Sequence, residues 1–445
     1  MDSVKIKSVV CDEIEKNKYK LIAVAKEILE NPEPGFKEFK TSKIVSREFS
    51  YLDMPHESEI AITGLKSHLD SGNPGPNIAV IGELDSVKVL GHPFGDKETT
   101  AAHACGHHCQ IAMMLGVAVG LKATGVLESL SGKVTFMAVP AEEYIEIEYR
   151  DNLRRNGEIE FLGGKPEFVR LGHFDDIDMA MMTHTSVPTN DSKITIGGTN
   201  VGMVGKSIQF SGVASHAGGS PHLGVNALNA AMVAMSAIHA QRETYRDKDS
   251  IRIHPIITKG GVAVSSVPAD VRMETYVRGG SIEAFLSASE KVDRALRAGA
   301  MTVGGSVTIQ TLPGYLPIQN NETFLDLYQN NAAELVGQEK ISRLPPHVMH
   351  GTGSTDMGDI SQLMPVIHPY VEAASGNGHG IDYVIDDYEL AVVTCAKAMA
   401  MTVVDLLADG ASNASRIISE NDSPLTISSY LSLLRSMTKE ETFKE

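Results

Sequence analysis

Three predicted strands each end on a residue able to bind a metal or move a proton. Asn77 to Leu84 reads as a strand and is followed by Asp85. Lys133 to Val139 leads through Pro140-Ala141 to the pair Glu142-Glu143, and Asp178 to Thr183 runs into His184. Helical patterns separate them, so the chain is expected to form an α/β domain with a largely parallel sheet flanked by helices. In open sheets of this kind ligands gather outside the carboxyl ends of the strands. Three such candidates at three strand ends constrain the fold and the site together.

The rest of the chain fits around that sheet. Leu21, Val24, Ala25, Ile28 and Leu29 repeat at helical spacing, and Asn31-Pro32-Glu33-Pro34-Gly35 stops that helix. Thr41 to Leu52 predicts a second helix, and Ile111 to Leu121 a buried one. From about Asn200 the texture changes. Strands over Ser207 to Gly212, Ile251 to Thr258 and Asp270 to Arg278 alternate with helices over Leu223 to Arg242 and Ser281 to Ala300. This predicts a small inserted α+β unit of ferredoxin-like type. After Thr311-Leu312-Pro313-Gly314 the chain is expected to return to the first domain. The expected division is therefore residues 1–199 and 312–445 for the catalytic domain and 200–311 for the insertion, in keeping with a length of 445 residues. Phe324 to Leu335 and Tyr388 to Leu407 read as helices, Met364 to Tyr370 as a strand, and His347 to Asp359 as a polar, glycine-rich loop. Leu425 to Met437 reads as a surface helix in a polar tail.

Composition narrows the partners. A hydrophobic fraction of 42% with 21% charged residues is that of a soluble globular protein. The net charge of −17 argues against nucleic acid, because no basic face is available for phosphates. No membrane partner is expected, since no apolar run approaches the ~20 residues that span a bilayer. Met1 to Tyr19 lacks the apolar core of a signal peptide. The 4 cysteines are too few for a disulfide framework, so a reducing, cytoplasmic location is expected.

The densest chemistry lies in Ala102 to Ile111, AHACGHHCQI, which holds His103, Cys105, His107, His108 and Cys109. Cys105 and His107 are one residue apart and can face one ion if the loop curls. Thiolate and imidazole suit Zn2+, and imidazole with carboxylate also suits Mn2+. His108 and Cys109 are expected to face into the following helix, and His103 to support the site from behind. Glu142 and Glu143 point in different directions as neighbours, so one can bind metal while the other takes a proton. The plainer alternatives are hydrogen-bonded loop histidines, a buried thiol and solvated glutamates. His216, in Ser215-His216-Ala217-Gly218-Gly219, could donate to an oxyanion or cap the following helix. Arg278, at a strand end, could clamp a substrate carboxylate or form a surface ion pair. Asp356 and Asp359, in a loop without a Walker lysine, read as structural. His379 stands alone in a glycine loop.

Taken in order, AHACGHH, PAEE, the His184 strand end, ASHAGG, GSTDMGDIS and the IHPY…GHG run resemble the aminoacylase/carboxypeptidase-like metallopeptidase family. The similarity is to its amidohydrolase branch with a cysteine ligand, which includes aminobenzoyl-glutamate hydrolase and the β-alanyl-lysine dipeptidase group. It runs from the Pro32-Glu33-Pro34-Gly35-Phe36 turn to the Tyr388 helix and omits the tail after Ser412. The resemblance implies a catalytic domain interrupted by a lid that also forms the interface of a homodimer. It implies Cys105, His107, Glu143, His184 and His379 as ligands of one or two divalent ions, and Glu142 as general base. It also implies His216 as an oxyanion donor, often to the other subunit's site, and Asp85 as a supporting residue. This chain departs by having His108 where relatives carry Asp or Asn, and Ser266-Val267-Pro268 where they often carry Asn before the Pro. The segment between Glu143 and His184 is long and charged, Glu146 to Arg155 especially, and is expected to shape the pocket.

The expected function is metal-dependent hydrolysis of a small N-acyl-amino-acid or dipeptide-like amide with a free carboxylate, with Arg278 as the carboxylate clamp. Two other classes are kept beside it: a metal-binding protein without hydrolytic activity, against which the intact Glu142 counts, and a thiol hydrolase using Cys105, which a chelator would spare.

Overall fold

The computed structural model describes residues 1–188 and 190–444. A six-stranded sheet forms the centre, in the order His56–Ile60, Gly64–Asp70, Lys133–Val139, Asn77–Glu83, Met179–Met181, Val366–Ile367. The last four run parallel, and the first two pair antiparallel at one edge. The α/β architecture with a largely parallel sheet is thus the one the strand–helix alternation predicts. Every residue of Asn77–Glu83 is buried. Ile78 and Val80 join the apolar cluster beneath the helices, and Ala79 and Ile81 join the cluster on the opposite face. A strand covered on both faces reads as a continuous apolar run.

The helix His107–Leu121 is buried along its whole length. It packs on Asn77–Glu83 and on the helices Ser3–Lys16, Lys18–Leu29 and Cys395–Leu407. The expectation that no apolar run nears membrane length needs correction. Glu389–Leu407 is long and apolar enough to cross a bilayer by length and composition, yet 83% of its most apolar window is buried inside the fold. Its charges pair within the protein: Lys397 with Glu15 at 2.7 Å and Asp405 with Lys7 at 2.6 Å.

A second, antiparallel sheet has the order Arg252–Ile253, Asp270–Gly279, Gly202–Ser211, Ser306–Pro313, Lys439–Lys444. Ile256–Lys259 also pairs with Asp270–Gly279. The helices Ala227–Ala240 and Ile282–Val303 pack on this sheet and on each other. Its last strand is the tail of the chain, which sequence alone gives as polar surface with one helix. That helix, Ile427–Met437, buries Tyr430, Leu434 and Met437, and Tyr430 donates to Asp359 Oδ1 at 2.9 Å. A third sheet, Ile341–Met349, Ile194–Thr199, Tyr370–Glu372, His184–Ser186, is not anticipated by the sequence pattern. It takes in the start of the segment expected to be a loop, and it sets His184 opposite Tyr370.

Candidate metal centre

The carboxyl end of the central sheet delivers the candidate donors. Glu83 closes its strand and Asp85 lies two residues on. Cys105 sits in the turn before the helix His107–Leu121, whose first residue is His107. Gly106 between them has φ +88°, and a Cβ there would collide with the Thr185 hydroxyl, so this tight approach requires glycine. Ala141 is left-handed at φ 57°. Its N–H donates to buried Glu38 Oε1 at 2.8 Å, and its carbonyl accepts from buried Arg150 Nη1 at 3.1 Å. That buried pair holds the strained turn that aims Glu142 and Glu143 apart. Arg150 lies in the charged helix Ile147–Arg155, so that segment buttresses the turn. His379, also left-handed, donates its backbone N–H to Ala104 O at 2.9 Å, which ties the glycine loop to the cysteine turn.

All five sequence-predicted metal ligands converge. Cys105 Sγ lies 3.3 Å from His184 Nε2. His379 Nε2 and Glu143 Oε1 are 3.1 Å apart. Cys105, His107 and His184 place their donor atoms within 4.8 Å of one another, and so do Cys105, Glu143 and His379; Cys105 belongs to both groups. Asp85 organises them. Its backbone O and Oδ1 lie 2.9 and 3.2 Å from His107 Nδ1, and its Oδ2 accepts from the Glu143 N–H at 2.9 Å. His107 is therefore held with Nε2 free for a ligand, as a carboxylate behind a metal-binding histidine holds it.

The electrostatics fit a cation. Burial and Glu143 push the Cys105 thiol up, but His184, His107 and His379 outweigh them and it settles at about 6. Burial, with Glu83, Glu143 and Asp356 nearby, drives Glu142 well above the usual carboxylate range. Glu83 Oε2, His107 Nε2 and Glu143 Oε1 are buried without a hydrogen-bond partner. Orphaned buried donors of this kind are costly, and a thiolate, imidazoles and carboxylates together are the donor set of a divalent transition metal. The residues present fit such an ion.

A cavity of about 310 Å³ opens onto these donors, with Arg278, Tyr276 and Tyr315 on its wall. A larger cavity of about 450 Å³, beside the helix Ile147–Arg155, holds none of the donors. Arg278 has a buried, unpartnered Nε and stacks over Tyr276 at 5.0 Å. His216 is not among the lining residues. It is exposed, its Nδ1 accepts from the N–H groups of Gly218 and Gly219 at 3.2 and 2.8 Å, and it bridges to Ser266. His103 does not contact a ligand; both of its ring nitrogens lack partners and its ring lies 5.2 Å from that of His108. His108 faces away from the site, as expected, with Nε2 3.2 Å from the Tyr388 hydroxyl. Asp356 and Asp359 are structural, bound to Lys165 and to Tyr430.

Sequence reasoning missed Glu83, buried Lys165 and the Tyr315 hydroxyl, which donates to the Glu142 carbonyl. A signal for Glu83 was available. It stands two residues before Asp85, and alternate residues of a strand share a face.

Residues 66–405 match the model of peptidase family M20/M25/M40. The chain is 27% identical to Xaa-Arg dipeptidase of Mus musculus over 423 residues, 90% of this chain and 89% of that one. It is 26% identical to one chain of the p-aminobenzoyl-glutamate hydrolase of Escherichia coli over 291 residues, 63% of this chain and 62% of that one. Among solved structures, a dinuclear metal binding peptidase of Bacillus subtilis superposes with a TM-score of 0.61 at 21% identity, covering 88% of this chain and 99% of that one. The aminobenzoyl-glutamate utilization protein of Klebsiella pneumoniae gives 0.65 at 18% identity, covering 88% and 97%. With the converging donors and the matched span, the chain belongs to peptidase family M20/M25/M40 and is a metal-dependent amide hydrolase.

Proposed function

We propose that this enzyme cleaves a small N-acyl amino acid or dipeptide-like amide with a free carboxylate, and that Cys105, His107, Glu143, His184 and His379 would hold two divalent cations for that chemistry. The observation that carries this reading is the placement of buried Glu142 beside the donors at the mouth of a cavity walled by Arg278. Cys105 belongs to both donor groups, with His107 and His184 in one and Glu143 and His379 in the other. This mixture of soft and hard donors suits Zn2+ first and Mn2+ second.

Divalent cations held by Cys105, His107, Glu143, His184 and His379 would supply the Lewis acidity that polarises a scissile carbonyl and acidifies a water. Glu142 takes the proton of that water on a carboxylate oxygen and returns it to the leaving nitrogen. Its proton affinity, raised chiefly by burial, suits it to hold a proton between the two steps. Arg278 meets the substrate carboxylate. Burial without an anionic partner pulls its pKa down, so a carboxylate there supplies the missing counter-charge. The relatives named for Xaa-Arg dipeptides and for p-aminobenzoyl-glutamate support substrates that end in a carboxylate.

The unit formed by the second sheet serves as the lid and as the interface of a homodimer. Support comes from the outer strands Arg252–Ile253 and Ile256–Lys259, which leave one edge of the sheet free, and from exposed Val262 and Val264 on the adjoining hairpin. His216 bridges to that hairpin and so would reach the site of a second copy, as the oxyanion donor. The four free cysteines agree with a cytoplasmic setting.

The test is Glu142→Ala with metal content monitored; activity within a few-fold of wild type overturns the mechanism. A second reading rests on the Cys105–His184 pair at 3.3 Å with its lowered thiol pKa, which is also the arrangement of a thiol nucleophile. Chelation decides between them: a thiol enzyme keeps its activity in EDTA and the metal enzyme loses it.

A further inference from the structure

Glu83 stands outside the donor set already assigned, and its surroundings are unusual for a buried carboxylate. It is fully buried at the end of its strand. Oε1 accepts from Lys165 Nζ at 2.6 Å. Oε2 has no hydrogen-bond partner and lies 3.1 Å from His107 Nε2, which has none either. His107 Nδ1 already faces the backbone O and Oδ1 of Asp85, both acceptors, so the ring proton of a neutral imidazole belongs there. Nε2 is then a lone pair set against the lone pairs of Glu83 Oε2. A protonated Nε2 would pair with Glu83, yet at 3.1 Å the two atoms form no aligned hydrogen bond, and a cation between them satisfies both. The same spacing is what two adjacent ligands of one ion adopt, since bonds of about 2.1 Å at near-right angles leave their ends about 3 Å apart.

The local charge points the same way. Glu83, Asp85, Glu142, Glu143 and Asp356 are all buried carboxylates around this end of the sheet, with Lys165 as the one buried lysine among them. Lys165 is already shared between Glu83 and Asp356. Uncompensated buried carboxylates are expensive. Glu83, His107 and Glu142 put their donor atoms within 4.8 Å of one another, and His107 is also a member of the group with Cys105 and His184.

We propose that Glu83 is a sixth metal-binding residue of this enzyme, ligating through Oε2 an ion that His107 also holds, with Lys165 locking its other oxygen. This rests on the proposed two-cation centre. Glu83 adds a hard, anionic oxygen to a thiolate–imidazole set, and so moves that position toward metals that accept more oxygen ligands, Mn2+ and Co2+ beside Zn2+.

The experiment uses full-length protein stripped of metal and titrated with Co2+ and with Mn2+, reading stoichiometry, affinity and the Co2+ absorption spectrum. Three proteins are compared: wild type, Glu83→Gln, and the double variant Glu83→Gln/Lys165→Met, which removes both partners of the buried ion pair. Wild type is expected to bind two ions. Both variants are expected to bind one of them at least about 100-fold more weakly, with an altered visible spectrum for that ion. If Glu83 were only the counter-ion of Lys165, the double variant would match wild type in stoichiometry, affinity and spectrum, and that result overturns the proposal while leaving the two-cation centre standing. A wild type that takes up no divalent ion overturns both.

Discussion

Asp85 Oδ1 lies 3.2 Å from His107 Nδ1, while the other oxygen of the same carboxylate accepts the Glu143 N–H. One side chain thus orients the imidazole of one candidate ligand and fixes the backbone of another. Asp85→Asn would turn an amide N–H toward one of these two N–H groups. Metal affinity is expected to fall about 10–100-fold with the fold intact, the usual effect of losing a carboxylate behind a ligating histidine. Competition against a chelator of known affinity measures it.

Arg278→Ala removes the guanidinium from the cavity wall. A charged hydrogen bond is worth about 1.5–3 kcal/mol, so KM for a carboxylate-bearing substrate should rise roughly 10–100-fold. The corresponding carboxamide substrate should show little change. Equal losses on both substrates would remove Arg278 from carboxylate recognition.

Glu38 gives a pH signature in stability. Burial and nearby Asp85 push it up to about 8, against bonds from Thr63 and Ala141 that pull it down. Between its ordinary value of 4.5 and about 8 the folded state holds a proton that the unfolded state has lost. Stability from this group therefore falls as pH rises through that window. Glu38→Gln keeps acceptor and donor in place and cannot titrate. Its unfolding midpoint should gain on wild type from pH 5 to pH 8; parallel curves would refute the assignment.

Deleting residues 426–445 strips Tyr430, Leu434 and Met437 from the junction of the two sheets. Each buried side chain of this size contributes about 1.5–3 kcal/mol. A clear fall in thermal midpoint is expected, with new protease cleavage near the uncovered strand Ser306–Pro313. An unchanged midpoint would mean the tail adds nothing to the fold.

The parts of the fold that sequence disclosed are those where local pattern and burial agree. Lys133–Val139 matches its predicted limits because it is an apolar run ended by Pro140. Ile341–Met349 was hidden by Pro345 and Pro346, which cannot donate to a ladder and are tolerated because this strand lies at the edge of its sheet. Lys439–Lys444 has no apolar alternation at all and owes its form to the free hydrogen bonds of Ser306–Pro313. The site divides in the same way. Cys105, His107, the Glu142-Glu143 pair and His184 were visible as metal-capable residues in telling places, whereas His379, alone in its glycine loop, was marked only by the family resemblance. Glu83 was overlooked although it shares a strand face with Asp85; only its pairing with Lys165, 82 positions away, lay beyond local pattern.

The tail strand also bears on the two edges of the second sheet. A sheet with two bare edges can recruit a neighbour on each side and run on as a fibre. Here Lys439–Lys444 occupies one edge and presents Lys439, Glu440, Glu441 and Lys444, a charged border that resists further pairing. The opposite edge, Arg252–Ile253 and Ile256–Lys259, stays open. If copies pair through this sheet, as proposed above, one open edge permits a single twofold pairing and no further growth. Lys439–Lys444 thus blocks one of the two edges by which this sheet could be extended.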